Sequence, residues 1–276
     1  MLALAAAGLI FTTTLGAQQA REYFDPVLEP GAFCGGNEGK QPALLRNLIL
    51  VKNETAPFQP VPPKPALDQQ PVLYKDLGKL TFPISSKVRK VQAWFDQGLI
   101  LAFGFNHAEA QRAFREAQKL DPSCAICYWA ESLILGPNIN VPMMPEAHAP
   151  SLAALGKALE LAPKANEKER ALIAALAKRY SADPKADRAP LDKAYAAAMK
   201  QVAAKYPADD TIQVLYAEAV MDTQPWDYWE PGGKKTKGDG AEIMGALERV
   251  LERNPDHTGA AGSAFSGVAE ASIAWM

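Results

Sequence analysis

Cysteine and histidine are both scarce, with three of each in 276 residues. So few ligands and staples exclude a densely disulfide-linked mini-domain and a multi-zinc fold. Charge of one sign is also lacking. The 29 basic and 31 acidic residues leave a formal charge of −2, so no overall field draws the chain to nucleic acid or to an anionic membrane. No phosphate loop, Ser-His-Asp arrangement or metalloprotease spacing occurs, and we expect neither catalysis nor a bound cofactor. Long apolar runs are limited to "LALAAAGLIFTTTLGA" at 2–17, which at about 16 residues falls short of the roughly 20 that a membrane-spanning helix needs. Residues 1–20 read as a secretory signal peptide, although a basic start is missing. The expectation is a periplasmic or secreted protein with no membrane span in its mature chain.

What the chain does have is proline at one end and alanine-rich helix at the other. Ten of the 22 prolines lie between residues 22 and 86, clustered in "APFQPVPPKPALDQQP" at 56–71. Such a stretch cannot run as helix, because proline lacks the amide and restricts its predecessor. Residues 21–86 are therefore expected to be extended, with a short helix or strand at 43–51 and a small hairpin at 73–85. From residue 87 the pattern predicts helices at 87–104, 107–119, 124–136, 146–161, 166–180, 189–205, 210–223, 239–253 and 258–274, and no strand pattern competes there.

Repetition is the strongest signal. Trp94, Gly98, Ala110, Phe114, Ala117 and Pro122 fall at the spacings W-x3-G-x11-A-x3-F-x2-A-x4-P of the tetratricopeptide repeat, a unit of about 34 residues. Small residues at Gly98 and Ala110 let two antiparallel helices approach, Trp94 and Phe114 fill the space between them, and Pro122 ends the second. Counting back from Pro163, Pro207 and Pro255 gives looser units with Leu155 and Ala158, Met199 and Val202, and Leu247 and Val250 in the Phe114 and Ala117 places. The expected fold is all-α: a solenoid of about four helical hairpins and part of a fifth over residues 87–276. Each hairpin buries its apolar face only by stacking on the next.

Over residues 94–140, "WFDQGLILAFGFNHAEAQRAFREAQKLDPSCAICYWAESLILGPNIN", the chain resembles secreted bacterial tetratricopeptide proteins. Those relatives are longer and carry histidine-rich helices further on; the tail here lacks such histidines, which implies a C-terminally truncated form. The resemblance implies a scaffold and not an established reaction. It also implies that the second, fifth and ninth positions of each first helix face a concave groove: Gln92, Phe95 and Leu99, then Ile126, Trp129 and Leu133. That stripe is mostly apolar and lacks the Lys, Arg and Asn of a carboxylate clamp. An open apolar groove marks an interaction site. It is expected to take either an apolar segment of another protein or the chain's own proline-rich extension, folded back as a built-in ligand. A second interaction surface is expected in the loop 224–240, with Trp226, Tyr228 and Trp229.

Cys124 and Cys127 form a Cys-x-x-Cys pair at a helix start. Covalent haem attachment needs a histidine next, and Tyr128 stands there. Structural zinc needs a second pair or a nearby histidine, and His107 lies at the far end of the preceding helix, about 20 Å away. What remains is a structural disulfide, between these two or from one of them to Cys34, or thiol redox chemistry favoured by the helix dipole. A metal alternative lies at the opposite edge of the array, where His107 and the inserted loop with Met143, Met144 and His148 are expected to be neighbours of a kind that suits copper. The function expected is a protein-protein interaction scaffold, with a metal- or thiol-handling accessory protein as the alternative. An unfinished fifth unit leaves an apolar helix face uncovered and suggests a homodimer through that end.

Overall fold

The computed structural model describes residues 71–264. The segment 1–20, the stretch 43–51, the prolines before residue 71, Cys34 and the tail beyond residue 264 lie outside them. The described residues are all-α, with no strand; one isolated bridge joins Trp229 and Thr236. Eight helices run in order: α1 Arg89–Phe103, α2 His107–Leu120, α3 Ala125–Ile134, α4 His148–Leu161, α5 Glu167–Leu176, α6 Arg188–Lys205, α7 Asp210–Met221 and α8 Gly240–Arg253. Residues 258–264 are helical as well. No helix among the described residues is long and apolar enough to cross a membrane.

Helix ends follow local chemistry. Asn106, Asn166, Asp187 and Asp209 cap α2, α5, α6 and α7, each side chain accepting a main-chain N–H of the first turn, as short polar side chains do at these positions. Each even-numbered helix stops two residues before a proline, at Pro122, Pro163, Pro207 and Pro255. Asp121, Tyr206 and Asn254 leave the helical region, as residues before proline tend to, whereas Ala162 stays helical and α4 runs on into a 3-10 turn, Ala162–Lys164.

Consecutive helices pack on each other through the whole series. α1 and α2 are closest at Gly98, where a Cβ would lie 2.3 Å from Cε1 of Phe114; only glycine fits. Ala110, Ala113 and Ala117 are buried along the same contact. Polar locks supplement the packing. Glu131 on α3 is buried and accepts from Gln111, Arg115 and Gln118 on α2. The odd-numbered helices α1, α3 and α5 also pack in a row, with the buried Trp129 indole donating to the Leu172 carbonyl at 3.1 Å. Residues 257–264 return to the start of this row. His257 meets Thr211 of α7 at 3.2 Å, and a Cβ at Gly259 would lie 2.9 Å from the Phe103 ring of α1.

The hairpin expected at 73–85 does not form. Residues 71–85 contain no strand and cross α1 as an extended strap. Their main-chain polar groups are met by side chains instead of by a partner strand, which satisfies the same requirement by another route.

Candidate functional site

The strap defines the first candidate site. Gln97 of α1 holds one end, accepting the Tyr74 N–H at 2.8 Å and donating to the Val72 carbonyl at 2.9 Å. Asp96 accepts the Phe82 N–H at 3.0 Å, while Gln92 donates to the Phe82 carbonyl at 2.8 Å and accepts the Ile84 N–H at 3.1 Å. Glu169, fully buried at the start of α5, accepts from both the N–H and the hydroxyl of Ser85. These contacts read backbone, and so recognise extended chain with little regard to its side chains. Specificity enters through Phe82, which is buried, stacked on Phe95 with ring centroids 6.1 Å apart, and covered by the Lys168 ammonium 4.1 Å from its centre. Burial raises the Asp96 carboxyl above its ordinary value, and the Phe82 N–H, Gln92 and Thr81 pull it back down. Between its two tethers the strap and α1 line an open cleft of about 490 Å³, with Leu77 and Leu80 packed against the core and Val72, Leu73 and Tyr74 exposed.

The six expected groove residues have distinct placements. Gln92 binds the strap. Phe95 lies under Phe82, and Leu99, Ile126 and Trp129 are buried in the packed row of helices. Leu133 is partly buried and walls a small cavity at the other end of α1 and α3.

That cavity, of about 30 Å³, borders a buried ionic centre. Arg179, in the link between α5 and α6, donates to the Pro137 carbonyl at 2.7 Å and pairs with Asp222 at 2.5 Å. Its Nε stands 3.7 Å from Asp192, too far for a hydrogen bond. Arg188 pairs with Asp192 at 2.5 Å and donates to the Arg179 carbonyl. The Arg179 guanidinium lies 4.9 Å from the centre of the Tyr195 ring, and the Tyr180 hydroxyl donates to the Ser132 carbonyl. Burial pushes Asp222 up to about 7 against the pull of Arg179, and it raises Glu218 as well. Burial opposes the charge on Arg179, but Asp222, then Tyr180, Tyr195 and Asp192, raise its pKa further still. The two partners of the ion pair thus shift so that Arg179 holds its charge while Asp222 gives its charge up more readily. Arg179 stays charged, and Asp222 is the member that exchanges a proton.

At the same edge the expected copper ligands have other partners. His107 lies 3.4 Å from the Asn138 amide, and burial, then Arg179, lowers its pKa. His148 meets the Ser181 carbonyl at 2.9 Å, Met143 packs on the core and Met144 is exposed. In the loop 224–240, Tyr228 is buried, and Trp226 donates to Asn140 at 3.2 Å from a backbone with φ of 56°. Trp229 packs partly against the core. These aromatics anchor the loop to the fold.

Cys124 and Cys127 form a disulfide, with Cα atoms 5.4 Å apart. Both are buried, which screens the sulfurs from an attacking thiolate and fits a peg at the start of α3. The ionic centre is the feature that sequence reasoning missed. Its one available signal was the pair of acids Glu218 and Asp222, one turn apart on a helix otherwise rich in buried apolar residues. No protein-family model matches the chain, and neither a curated protein nor a solved structure matches it.

Proposed function

We propose that this chain is a tetratricopeptide-type helical scaffold, acting in the periplasm or outside the cell, that binds an extended segment of another protein and catalyses nothing itself. The observation that carries the reading is the capture of residues 72–85 by Gln92, Asp96, Gln97 and Glu169. A face that grips main chain in this way suits any extended segment with an aromatic residue in the Phe82 position, and here the chain's own strap occupies it. A disulfide that persists in oxidising compartments, together with the apolar segment 2–17, supports the extracytoplasmic assignment.

The test leaves α1 intact and loosens the strap alone. Phe82→Ala with Ser85→Ala removes the ring and the hydroxyl contact while Gln92, Asp96 and Gln97 stay in place. A labelled peptide with the sequence of residues 71–86 is then titrated onto this full-length variant. Saturable binding that is competed by unlabelled peptide, but not by a peptide with alanine in the Phe82 position, is the expected result. A variant that stays helical and takes up no peptide would overturn the proposal.

A further inference from the structure

We propose that the cavity between α1, α3 and α7 is a binding site for an alkylammonium group, its charged head held by Glu218 and Asp222 and its first carbons resting on Leu99, Leu133 and Leu215. The argument starts from an unmet acceptor. Asp222 has a side chain only 4% exposed, and its second carboxylate oxygen accepts from Arg179. The first, Oδ1, is buried and has no hydrogen-bond partner among the described residues, and the Nε donors of Arg179 and Arg188 in the same centre are likewise buried and unpaired. Leaving such an acceptor unpaired carries a penalty of about 1–3 kcal/mol or more for a charged group, so a feature of this kind in a native fold points to something that binds there. Glu218, one turn earlier, also lines the cavity and is partly buried.

Charge selects the ligand class. Facing this region are Glu218 and Asp222 from α7, Asp192, Arg188 and Tyr195 from α6, Arg179 and Tyr180 from the link before α6, and His107 from α2. The imidazole of His107 has its pKa lowered by burial. Once Asp222 has released its proton, three carboxylates against two guanidiniums leave one negative charge without an opposite. An anion would meet two carboxylates, and water would meet the open donors and the open acceptor but bring no charge to offset the carboxylates. An ammonium supplies three donors and one positive charge in a compact head. A metal ion fits less well, because no group of three or more His, Cys, Asp or Glu side chains among the described residues is placed to hold one. Size agrees with a short group: about 30 Å³ admits roughly two water-sized spheres, enough for the nitrogen and one or two carbons. The raised pKa of Asp222 adds a pH signature, since an empty site keeps a proton that a bound cation displaces.

Ethylammonium chloride titrated onto the full chain by calorimetry, at constant ionic strength, tests the assignment. The expected result is a single saturable site whose affinity rises as pH increases through about 7. Affinity should fall at least tenfold in Glu218→Gln, which leaves the Arg179–Asp222 pair intact, and in Ala102→Leu, which fills the cavity from α1. A blocked lysine peptide is the second arm: binding of the peptide identifies a protein side chain as the source of the head group, and binding of ethylammonium alone identifies a free amine. Failure of ethylammonium to bind, equal binding of sodium or potassium, or unchanged affinity in both folded variants would overturn the proposal.

Discussion

The two ends of the α1–α3 face handle polar groups in opposite ways. Under the strap, neutral amides and two carboxylates meet the main chain at Val72, Tyr74, Phe82, Ile84 and Ser85. At the far end the ionic groups are incompletely matched: Asp222 keeps an acceptor without a donor, and Arg179 and Arg188 each keep a donor without an acceptor. The contrast teaches that this fold satisfies one polar face from its own sequence and leaves the other incompletely matched. A satisfied site reports its occupant, and an unsatisfied one reports the chemistry that it lacks.

Breaking the ionic centre should have the largest effect. Arg179→Ala removes the cation shared by Asp222 and Asp192 and strands buried carboxylates, so we expect a loss of about 3–5 kcal/mol in urea unfolding. Replacing Arg179 and Asp222 together by Met and Leu should recover much of that loss. At the strap, Phe82→Ala removes a buried ring from Phe95 and Lys168. A truncation of this kind costs about 3–5 kcal/mol in a closed core. Here we expect about 3 kcal/mol or less, because the strap can lift while the helices stay folded; circular dichroism alongside urea unfolding checks this.

A third prediction sharpens the charge side of the comparison. Asp222 in the folded chain titrates near 7, above its ordinary 3.8. The folded state therefore keeps a proton that the unfolded state has already released. That contribution to stability is complete below about pH 4 and disappears as pH rises to about 7. The amide introduced by Asp222→Asn cannot titrate, so the stability of the wild type relative to this variant should decline across the window and then level off. A relative stability that climbs with pH would mean that Arg179 dominates burial. The smallest effect belongs to Gln97→Ala, which loses two main-chain partners at one tether. About 1–2 kcal/mol is expected there, visible as faster amide exchange at Tyr74 with unchanged global unfolding.

How much of this was legible in the sequence depends on periodicity. Prolines 122, 163, 207 and 255 and the Asn and Asp caps gave helix positions close to those observed, because caps and stops are local. Gly98 against Phe114 was legible for the same reason, since a fixed spacing carries the contact. The strap differs from the hairpin that its sequence suggests. Alternation in "LYKDLGKLTF" suggests strand pairing, and nothing local reveals that glutamines 8 to 25 residues away will take the place of a partner strand. The ionic centre was invisible for a related reason. Arg179, Asp192 and Asp222 come from three separate segments, and buried charges look the same in a sequence as charges on a solvated face.

Amide hydrogen exchange on the full chain, resolved residue by residue, tests the captured strap most directly. The account predicts slow exchange at Tyr74, Phe82, Ile84 and Ser85 in the wild type. Tyr74 should become fast in Gln97→Ala, and the other three should become fast in Phe82→Ala. Exchange at the rate of unstructured chain for all four amides in the wild type would contradict it.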